Sequence, residues 1–164
     1  MKVKDAMKET PQYCQLENNL GSATELMWKA NCGFLPVLST GGKLMGVITD
    51  RDICIALGTR NCLAGELRVG EVMSGELHSC APDDDIHMAL QTMREAKIRR
   101  LPVMAQDGTL VGVLSMDDIL FRAEPRGPGK EPELSCDEVV RTFRSIARRG
   151  DPDVRAKRTV AGKL

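Results

Sequence analysis

The chain contains the same segment twice. Residues 3–57 align with residues 69–123 at a constant offset of 66 positions, without an insertion or a deletion. Fifteen of the 55 aligned pairs are identical, several times what unrelated segments of this composition would share. Self-similarity at a fixed period indicates a duplicated structural unit that cannot bury its apolar face alone. We therefore expect two similar halves, and polar residues that recur in both copies become the first candidates for a functional site.

Each copy is expected to contain a helix, a strand, a hairpin turn, a second strand and a short closing helix. Apolar residues at helical spacing follow Asn18-Asn19 in the first copy and Asp83-Asp84-Asp85 in the second, where polar residues can cap a helix. Glycine-containing turns then separate two apolar runs, which is typical of a β-hairpin. The predicted strands are 34–38, 44–49, 101–104 and 110–115, the closing helices are 50–57 and 116–122, and short strands are expected near 13–16 and 79–82.

The composition excludes several classes of protein. Basic and acidic side chains both total 23, so no net field attracts nucleic acid or a membrane. Three Phe, one Tyr and one Trp are too few for an aromatic platform that stacks single-stranded nucleic acid. No apolar run reaches the roughly 18–20 residues of a membrane span, and none follows the first residues as in a signal peptide. Six cysteines without a Cys-x-x-Cys pair favour a reduced cytoplasm, with Cys14 and Cys80 as small buried apolar residues.

Three motifs recur in register in both copies. They are Val-x-x-x-Met, Leu-Pro-Val and Gly-apolar-apolar-[Ser/Thr]-x-x-Asp-Ile, which begin at Val3, Leu35 and Gly46 and again 66 residues later. Over residues 1–122 this combination resembles a tandem pair of CBS domains, the Bateman module. The resemblance implies an α/β fold of two CBS repeats, each β-α-β-β-α, packed through their sheets with pseudo-twofold symmetry. It further implies a homodimeric regulatory protein that binds an adenine nucleotide or an adenosine derivative in clefts between the repeats.

The chain divides into two repeats and a C-terminal extension. The expected segments are CBS repeat 1 (1–60), a connection (61–68), CBS repeat 2 (69–123), a linker (124–134), a C-terminal helix (135–150) and a mobile tail (151–164). Ser135-Cys136-Asp137-Glu138 predicts a capping box at the start of that helix. Its apolar stripe is expected to pack on the body or on a dimer mate, with recruitment of a protein partner as the alternative. The stripe consists of Val139, Val140, Phe143, Ile146 and Ala147, beside a basic rim of Arg141, Arg144, Arg148 and Arg149.

A hydroxyl and a carboxylate stand three residues apart at each predicted strand–helix junction. Thr49 precedes Asp52 in the first copy, and Ser115 precedes Asp118 in the second. This spacing predicts a capping box, in which the hydroxyl accepts a hydrogen bond from the first helical turn. The same helix start can also donate N–H groups to a phosphate, and the carboxylate can accept both hydrogen bonds of a ribose diol. The CBS resemblance assigns these ligand-binding roles to all four residues, and both interpretations stay open.

Arginines make the two copies unequal. Arg99-Arg100 precedes the second Leu-Pro-Val strand, where the first copy has Gly33-Phe34. Arginine suits bidentate phosphate contacts, although many surface arginines only face solvent. One cleft is therefore expected to suit phosphate better than the other, and Arg51 is a further candidate for a phosphate contact. The other ligand-binding residues that the resemblance implies are Val47, Val113, Cys32, Gly33 and Ile98.

Catalysis and metal binding are not expected. His78 and His87 are not spaced as metal ligands, and Asp83-Asp84-Asp85 is explained by a helix start. No glycine-rich phosphate loop, catalytic triad or activated thiol is present in the sequence. The expected ligands are AMP, ADP or ATP, with NAD and S-adenosylmethionine as further possibilities, and the protein target is unknown. The alternative function is an oligomerising scaffold with vestigial clefts. Trp28 is expected to be partly buried, with an interface role as the alternative.

Overall fold

A computed structural model describes residues 1–127, 129 and 131–148. The predicted mobile tail (151–164) and the last two residues of the predicted helix lie outside the described residues. Short 3-10 helices at Val3–Asp5 and Val69–Glu71 occupy equivalent positions of the two copies. The strands are β1 (Lys8–Glu9), β2 (Cys14–Gln15), β3 (Phe34–Leu38), β4 (Leu44–Thr49), β5 (Arg100–Met104) and β6 (Leu110–Ser115). The helices are α1 (Leu20–Lys29), α2 (Asp50–Arg60), α3 (Ile86–Ala96), α4 (Met116–Arg122) and α5 (Cys136–Ala147).

Most predicted bounds agree with the structure, and α2 differs. The strands β3, β4 and β6 and the helix α4 have the predicted limits. The helix α2 instead continues through Gly58 to Arg60, where Asn61 ends it with φ 49°. A glycine inside a helix is tolerated at a modest cost, and asparagine reaches the left-handed conformation more readily than most residues. The connection between the copies therefore begins after Arg60 and not at Gly58.

The duplication extends to individual backbone conformations. Gly42 (φ +80°) and Gly108 (φ +83°) take the left-handed conformation at equivalent hairpin turns, as their glycines predict. Asn31 (φ 49°) and Lys97 (φ 57°) take it at the C-terminal ends of α1 and α3. Both copies therefore end their first helix and turn their hairpin in the same way.

Six strands form two small sheets of three strands each. In one, β2 runs parallel to β3 and β3 runs antiparallel to β4, with Leu35 opposite Ile48. In the other, the order is β1-β6-β5, and β1 is antiparallel to β6. A single parallel bridge from Cys80 to Val103 stands where the first copy has the β2–β3 pair. The order of elements in each copy is the predicted α/β arrangement.

The segment that leads into each copy pairs with residues of the other copy. Val3 N–H donates to the carbonyl of Asp84 at 3.0 Å, and Val69 N–H donates to that of Asn18 at 2.8 Å. These two hydrogen bonds are related by the 66-residue offset, as are the bridges from Lys8 to β6 and from Ser74 to β4. The repeats defined by sequence therefore exchange their leading segments.

Contacts divide the chain into two compact units that differ from the sequence repeats. One contains Lys8–Ala81 and Pro102–Val113, and the other contains Met1–Met7, Pro82–Leu101 and the described chain from Leu114 onward. In the first unit, α1 and the sheet bury Cys14, Leu20, Met27, Leu35 and Ile48. Burial raises the pKa of the Cys14 thiol to about 11, so it packs as a neutral apolar group. The prediction that Cys14 and Cys80 are buried is confirmed, with 1% and 9% exposed.

In the second unit, α5 packs on α3 and α4 of the same chain. Val139, Thr142 and Ile146 face inward, whereas Val140 is 43% exposed and Ala147 is exposed. Val139 and Ile146 of the predicted stripe are therefore buried and Phe143 is half-buried, whereas the prediction was wrong for Val140 and Ala147. Buried Thr142 is tolerated because its hydroxyl donates to the Glu138 carbonyl one turn earlier, at 3.1 Å.

Two further expectations are corrected. Ser135 caps α5 through a hydrogen bond from Glu138 N–H at 3.3 Å, but the Glu138 carboxylate lies against His87 instead of closing a capping box. Trp28 is 85% exposed and therefore not partly buried, since it lies outside the face of α1 that buries Leu20, Ala23 and Met27. No helix in the described part of the chain is long and apolar enough to span a membrane.

Candidate functional site

The first junction joins β4 to α2 through a closed ring of hydrogen bonds. Thr49 has extended backbone angles (φ −118°, ψ 160°), so its side chain lies over the first helical turn. Its Oγ1 accepts from Asp52 N–H at 3.2 Å and donates to Asp52 Oδ2 at 2.7 Å. Thr49 N–H donates to the same Oδ2 atom at 3.0 Å. The predicted capping box is present, and it fixes the orientation of the Asp52 carboxylate.

The second junction repeats this arrangement between β6 and α4. Ser115 Oγ accepts from Asp118 N–H at 3.1 Å and donates to Asp118 Oδ2 at 2.5 Å. Ser115 N–H donates to that Oδ2 atom at 3.0 Å. The same carboxylate oxygen is used in both copies, so the duplication is preserved at the level of single atoms.

Each junction presents one carboxylate oxygen that the protein leaves unused. Among the described residues, no hydrogen bond reaches Oδ1 of Asp52 or of Asp118, and both residues are half-buried. An ionised carboxylate oxygen can accept two hydrogen bonds. Because Oδ2 is held by the capping box, Oδ1 is an acceptor whose direction is fixed before a ligand arrives. Such an acceptor can bind a pair of hydroxyl donors, as in the vicinal diol of a ribose.

The predicted valines lie on the same sheet face as the junction hydroxyls. Along β4, Val47 and Thr49 are half-buried and alternate with buried Gly46 and Ile48. Val113 and Ser115 alternate in the same way with buried residues of β6. Residues two apart on a strand share a face, so each valine is a neighbour of its hydroxyl residue. The structure thus brings together two of the predicted site residues on each strand and a third on the helix that follows.

Gly46 is required by a close backbone approach that the motif search did not explain. A Cβ atom at Gly46 would lie 2.5 Å from the carbonyl oxygen of Ser74 and 2.8 Å from Met73 Sδ. Val47 exchanges two backbone hydrogen bonds with Ser74, of 3.1 and 2.9 Å. The glycine of this motif therefore serves the pairing of the exchanged segment with β4.

Cys32 and Ile98 close the C-terminal ends of α1 and α3. Cys32 N–H donates to the Met27 carbonyl at 3.0 Å, and Ile98 N–H donates to that of Met93 at 3.1 Å. Both side chains are half-buried just before β3 and β5. This capping function accounts for their position, and a contact with ligand stays a prediction.

The predicted arginines differ in exposure. Arg51 and Arg99 are exposed, and neither forms an ion pair within the described residues. Arg100 is half-buried and is the first residue of β5. The backbone carbonyl of Arg99 accepts from Met116 N–H at 2.9 Å, which ties the start of β5 to the second junction. Arg100 is therefore the least exposed of the three, and its phosphate contact stays a prediction.

Asp50 is a further candidate at the first junction that the recurring motifs do not single out. It is the first residue of α2, and its equivalent at the second junction is Met116, which is 1% exposed. Asp50 Oδ2 lies only 2.5 Å from the position that a Cβ atom of Gly33 would take. The alignment of the two copies contained a signal for this residue, because it pairs the carboxylate of Asp50 with the thioether of Met116. It was missed because the motif defines only the hydroxyl and the second carboxylate.

Metal binding has no structural support in the described part of the chain. No group of three or more His, Cys, Asp or Glu side chains there could hold a metal ion. His78 Nε2 lies 3.2 Å from Glu76 Oε1, and His87 lies between oxygens of Glu138 and Glu133. A carboxylate within hydrogen-bond distance therefore accounts for the position of each histidine without a metal ion.

Comparisons with known proteins agree with the duplicated architecture. The family model described as "CBS domain" matches residues 3–59 and 69–124. The CBS domain-containing protein YhcV of Bacillus subtilis (strain 168) is 37% identical over 117 residues, which are 71% of this chain and 81% of that protein. Homoserine O-acetyltransferase of Methanohalophilus mahii is 30% identical over 117 residues, but this chain spans only 23% of that enzyme's length.

A solved structure with bound ligands is also similar. It is the CBS domain pair of protein MJ0100 in complex with 5′-methylthioadenosine and S-adenosyl-L-methionine. The TM-score is 0.66 at 25% identity, and the match covers 73% of this chain and 92% of that one. With both family matches in register with the observed repeats, the chain belongs to the CBS-domain family.

Proposed function

We propose that this protein is a regulatory module that binds an adenosine-containing ligand at its strand–helix junctions. The observation that carries the proposal is the pair of fixed carboxylates, Asp52 and Asp118, each with one oxygen that no described residue uses. Both residues are half-buried, and the capping box sets the direction of the unused oxygen. The ligands of the MJ0100 domain pair, which both contain adenosine, support this ligand class.

The side chains around each junction have distinct roles in this proposal. Asp52 and Asp118 accept hydrogen bonds from the ribose diol. Val47 and Val113 pack against the adenine base, which is consistent with a chain whose aromatic residues are few. Arg100 contacts the phosphate of a phosphorylated ligand. The candidate ligands are AMP, ADP and ATP, with NAD and S-adenosylmethionine as further candidates.

The proposal is regulatory and not catalytic. At each junction the hydroxyl and the carboxylate are bound to each other and to backbone N–H groups in the capping box, which assigns them a structural and ligand-binding role in this proposal. Ligand occupancy can change a dimer or a protein partner only through different affinities for two states of the protein. We therefore propose a homodimer whose geometry, or whose affinity for a protein target, depends on the bound ligand.

Native mass spectrometry of freshly purified protein tests the proposal directly. It reads the mass of any co-purified ligand and the oligomeric state in one measurement. Thermal melts then compare adenosine, AMP, ATP and S-adenosylmethionine with GMP and CMP as matched controls. At a ligand concentration about 100 times the dissociation constant, linkage gives about 2.7 kcal/mol of added stability. The absence of a shift with every adenosine-containing ligand at millimolar concentration would contradict the proposal.

A second function is favoured by exposed apolar side chains. Trp28 on α1 is 85% exposed, Ile55 on α2 is 50% exposed and Leu63 is 72% exposed. Large exposed apolar residues are enriched at protein–protein interfaces. The alternative is therefore an oligomerising scaffold with vestigial ligand sites. It predicts an oligomer that is unaffected by every adenosine-containing ligand and that Trp28→Ser dissociates.

A further inference from the structure

The carboxylate of Asp50 occupies the helix start where an anionic ligand group would otherwise bind. Its Oδ1 atom accepts from Arg51 N–H at 2.7 Å. Its Oδ2 atom lies over the Cα of Gly33, 2.5 Å from where a Cβ atom would be. The carboxylate is therefore seated against the protein, although the residue is exposed.

No N–H group of the first turn of α2 is left for a ligand. Asp50 N–H donates to the Gly33 carbonyl at 3.3 Å, Arg51 N–H donates to Asp50, and Asp52 N–H donates to Thr49 Oγ1. Anion binding at a helix start depends on exactly these donors. A phosphate at this junction would therefore find every donor already occupied by the protein.

The first junction also carries negative charge without a cationic partner. Within the described residues, neither Asp50 nor Asp52 forms an ion pair. Both carboxylates belong to the first turn of α2, two residues apart. An anionic 5′ group that reached the start of this helix would meet the charge of the Asp50 carboxylate, and like charges repel.

The second junction lacks this carboxylate. Met116, which is buried, replaces Asp50, and the segment that precedes β5 contains Arg99 and Arg100 where the first copy has Gly33 and Phe34. The duplicated protein therefore keeps the ribose acceptor at both junctions but surrounds it with different charges, Asp50 and Arg51 at the first and Arg99, Arg100 and Asp117 at the second.

We propose that the first junction selects adenosine derivatives whose 5′ group is neutral or cationic, and that Asp50 is the residue that excludes phosphate. This inference rests on the proposed function, because it assigns a ligand class to one of the two proposed sites. The second junction retains the phosphorylated ligands. A protein built in this way responds to two different adenosine-containing molecules.

Three probes that differ only at the 5′ position test the charge selection. They are adenosine (neutral), AMP (anionic) and 5′-amino-5′-deoxyadenosine (cationic at pH 7). Calorimetric titrations use the full chain with Asp118→Ala, so that the heat reports on the first junction. A parallel Asp118→Asn chain, which keeps an acceptor for Ser115, provides the same measurement if the alanine variant unfolds. The first junction is expected to bind adenosine and the amine at least about tenfold more tightly than AMP.

Asp50→Asn in the same background is the decisive variant. Asparagine keeps the acceptor for Arg51 N–H and the size of the side chain but removes the charge. The adenosine-to-AMP ratio is expected to fall from at least about tenfold to within about threefold. Asp117→Asn, which removes an exposed carboxylate from the start of α4, is the charge-matched control and is expected to leave the ratio unchanged.

The outcomes separate this inference from the proposed function. If no probe binds the unmodified chain, both are overturned. If the unmodified chain binds a probe but the Asp118 variants bind none, the first junction is not a ligand site and only this inference is overturned. An adenosine-to-AMP ratio near one before mutation, or one that Asp50→Asn does not change, also overturns this inference alone.

Discussion

The imidazole of His87 on α3 lies 2.8 Å from the carboxylate of Glu138 on α5, measured from Nδ1 to Oε1. At the other end of α3, the ammonium of Lys97 donates to Ser145 Oγ at 2.6 Å. The two contacts occur in the same order along both helices, so α5 runs in roughly the same direction as α3. Between them, Val139, Thr142 and Ile146 are buried. The C-terminal helix is thus fixed by a polar contact at each end and by apolar packing along its length.

We expect His87 and Glu138 to be energetically coupled. A double-mutant cycle of His87→Ala and Glu138→Ala, followed by urea unfolding, should give a coupling energy of about 0.5–1 kcal/mol. The value is modest because the two side chains are 43% and 34% exposed. The pair His78 and Glu76 is the matched control, since it joins no helices and should couple by less. Strictly additive effects of His87→Ala and Glu138→Ala would show that packing alone holds α5.

The carboxylates at the two junctions should matter for affinity as well as for stability. Asp52→Ala and Asp118→Ala should each weaken binding of an adenosine-containing ligand by about 1.5–3 kcal/mol, because they remove charge-assisted hydrogen bonds. Both should also lower stability by about 1 kcal/mol through the lost cap. Calorimetric titration of each folded variant measures the first effect, and thermal melts measure the second.

Ser135→Ala is the control for these carboxylates. It removes the cap of α5 and leaves both junctions intact. It should therefore lower stability by a similar amount without changing affinity. If the two aspartate variants behaved in the same way as Ser135→Ala, Asp52 and Asp118 would be helix caps alone.

Arg100→Ala should weaken the binding of AMP more than that of adenosine. The first copy has Phe34 at the equivalent position, so this cation is specific to one junction. A phosphate contact from arginine is charge-assisted, and its loss should cost about 1.5–3 kcal/mol. Arg122→Ala, at the far end of α4, serves as a control for the loss of one positive charge. An equal loss for adenosine and AMP would mean that Arg100 acts through packing.

Stability should fall at alkaline pH because of Cys14. Burial raises the pKa of its thiol from 9.0 to about 11, so the unfolded chain releases this proton before the folded chain does. The stability that comes from keeping this thiol neutral is fully present below pH 9. It is lost as the pH rises from 9 to about 11, which lowers the free energy of unfolding by about 2–3 kcal/mol. Urea unfolding at several pH values measures this slope, and Cys14→Ala should flatten it. An unchanged slope in Cys14→Ala would assign the alkaline loss to other groups.

Local elements were predictable because each is specified by a few neighbouring residues. Short apolar runs after the turns predicted β4 and β6, and glycines at the two equivalent turns predicted the hairpins. The capping boxes followed from a spacing of three residues between a hydroxyl and a carboxylate. In the capping boxes and the hairpin turns, the partners of a hydrogen bond lie within four residues of each other.

The exchange of leading segments could not be predicted from a duplicated sequence. Val3 and Val69 are identical and are followed by similar residues, so either could pair with Asn18 or with Asp84. The choice depends on the length of the connection and on non-local packing, which periodicity does not encode. The residues that form the two compact units are therefore not the residues of the two repeats.

Val140 was wrongly assigned to the buried face of α5 in place of Thr142, because valine is more apolar than threonine. Thr142 satisfies its own hydroxyl within the helix and can be buried at low cost, which leaves Val140 exposed. Asp50 was missed for a different reason, since its position depends on the space that Gly33 leaves for its carboxylate. Neither the internal hydrogen bond nor that space is visible in a pattern of apolar and polar residues.

Deletion of residues 125–164 should leave a folded, ligand-binding body that is less stable. Both junctions precede the deletion, so their hydrogen bonds do not depend on it. The deletion removes three buried apolar side chains, Leu134, Val139 and Ile146, from the surface of α3 and α4. At about 25 cal/mol per Å² their burial contributes several kcal/mol, less the entropy of ordering the segment.

Two adjacent valines provide a matched test of the same contact within the full chain. Val139 is 0% exposed and Val140 is 43% exposed. Val139→Ala should cost about 1.5 kcal/mol in urea unfolding, whereas Val140→Ala should change stability by less than about 0.5 kcal/mol. Light scattering of the deleted chain across a dilution series then reveals whether the uncovered helices α3 and α4 associate. Equal costs for the two valines, together with unchanged stability after deletion, would mean that α5 packs on a separate partner and not on its own chain.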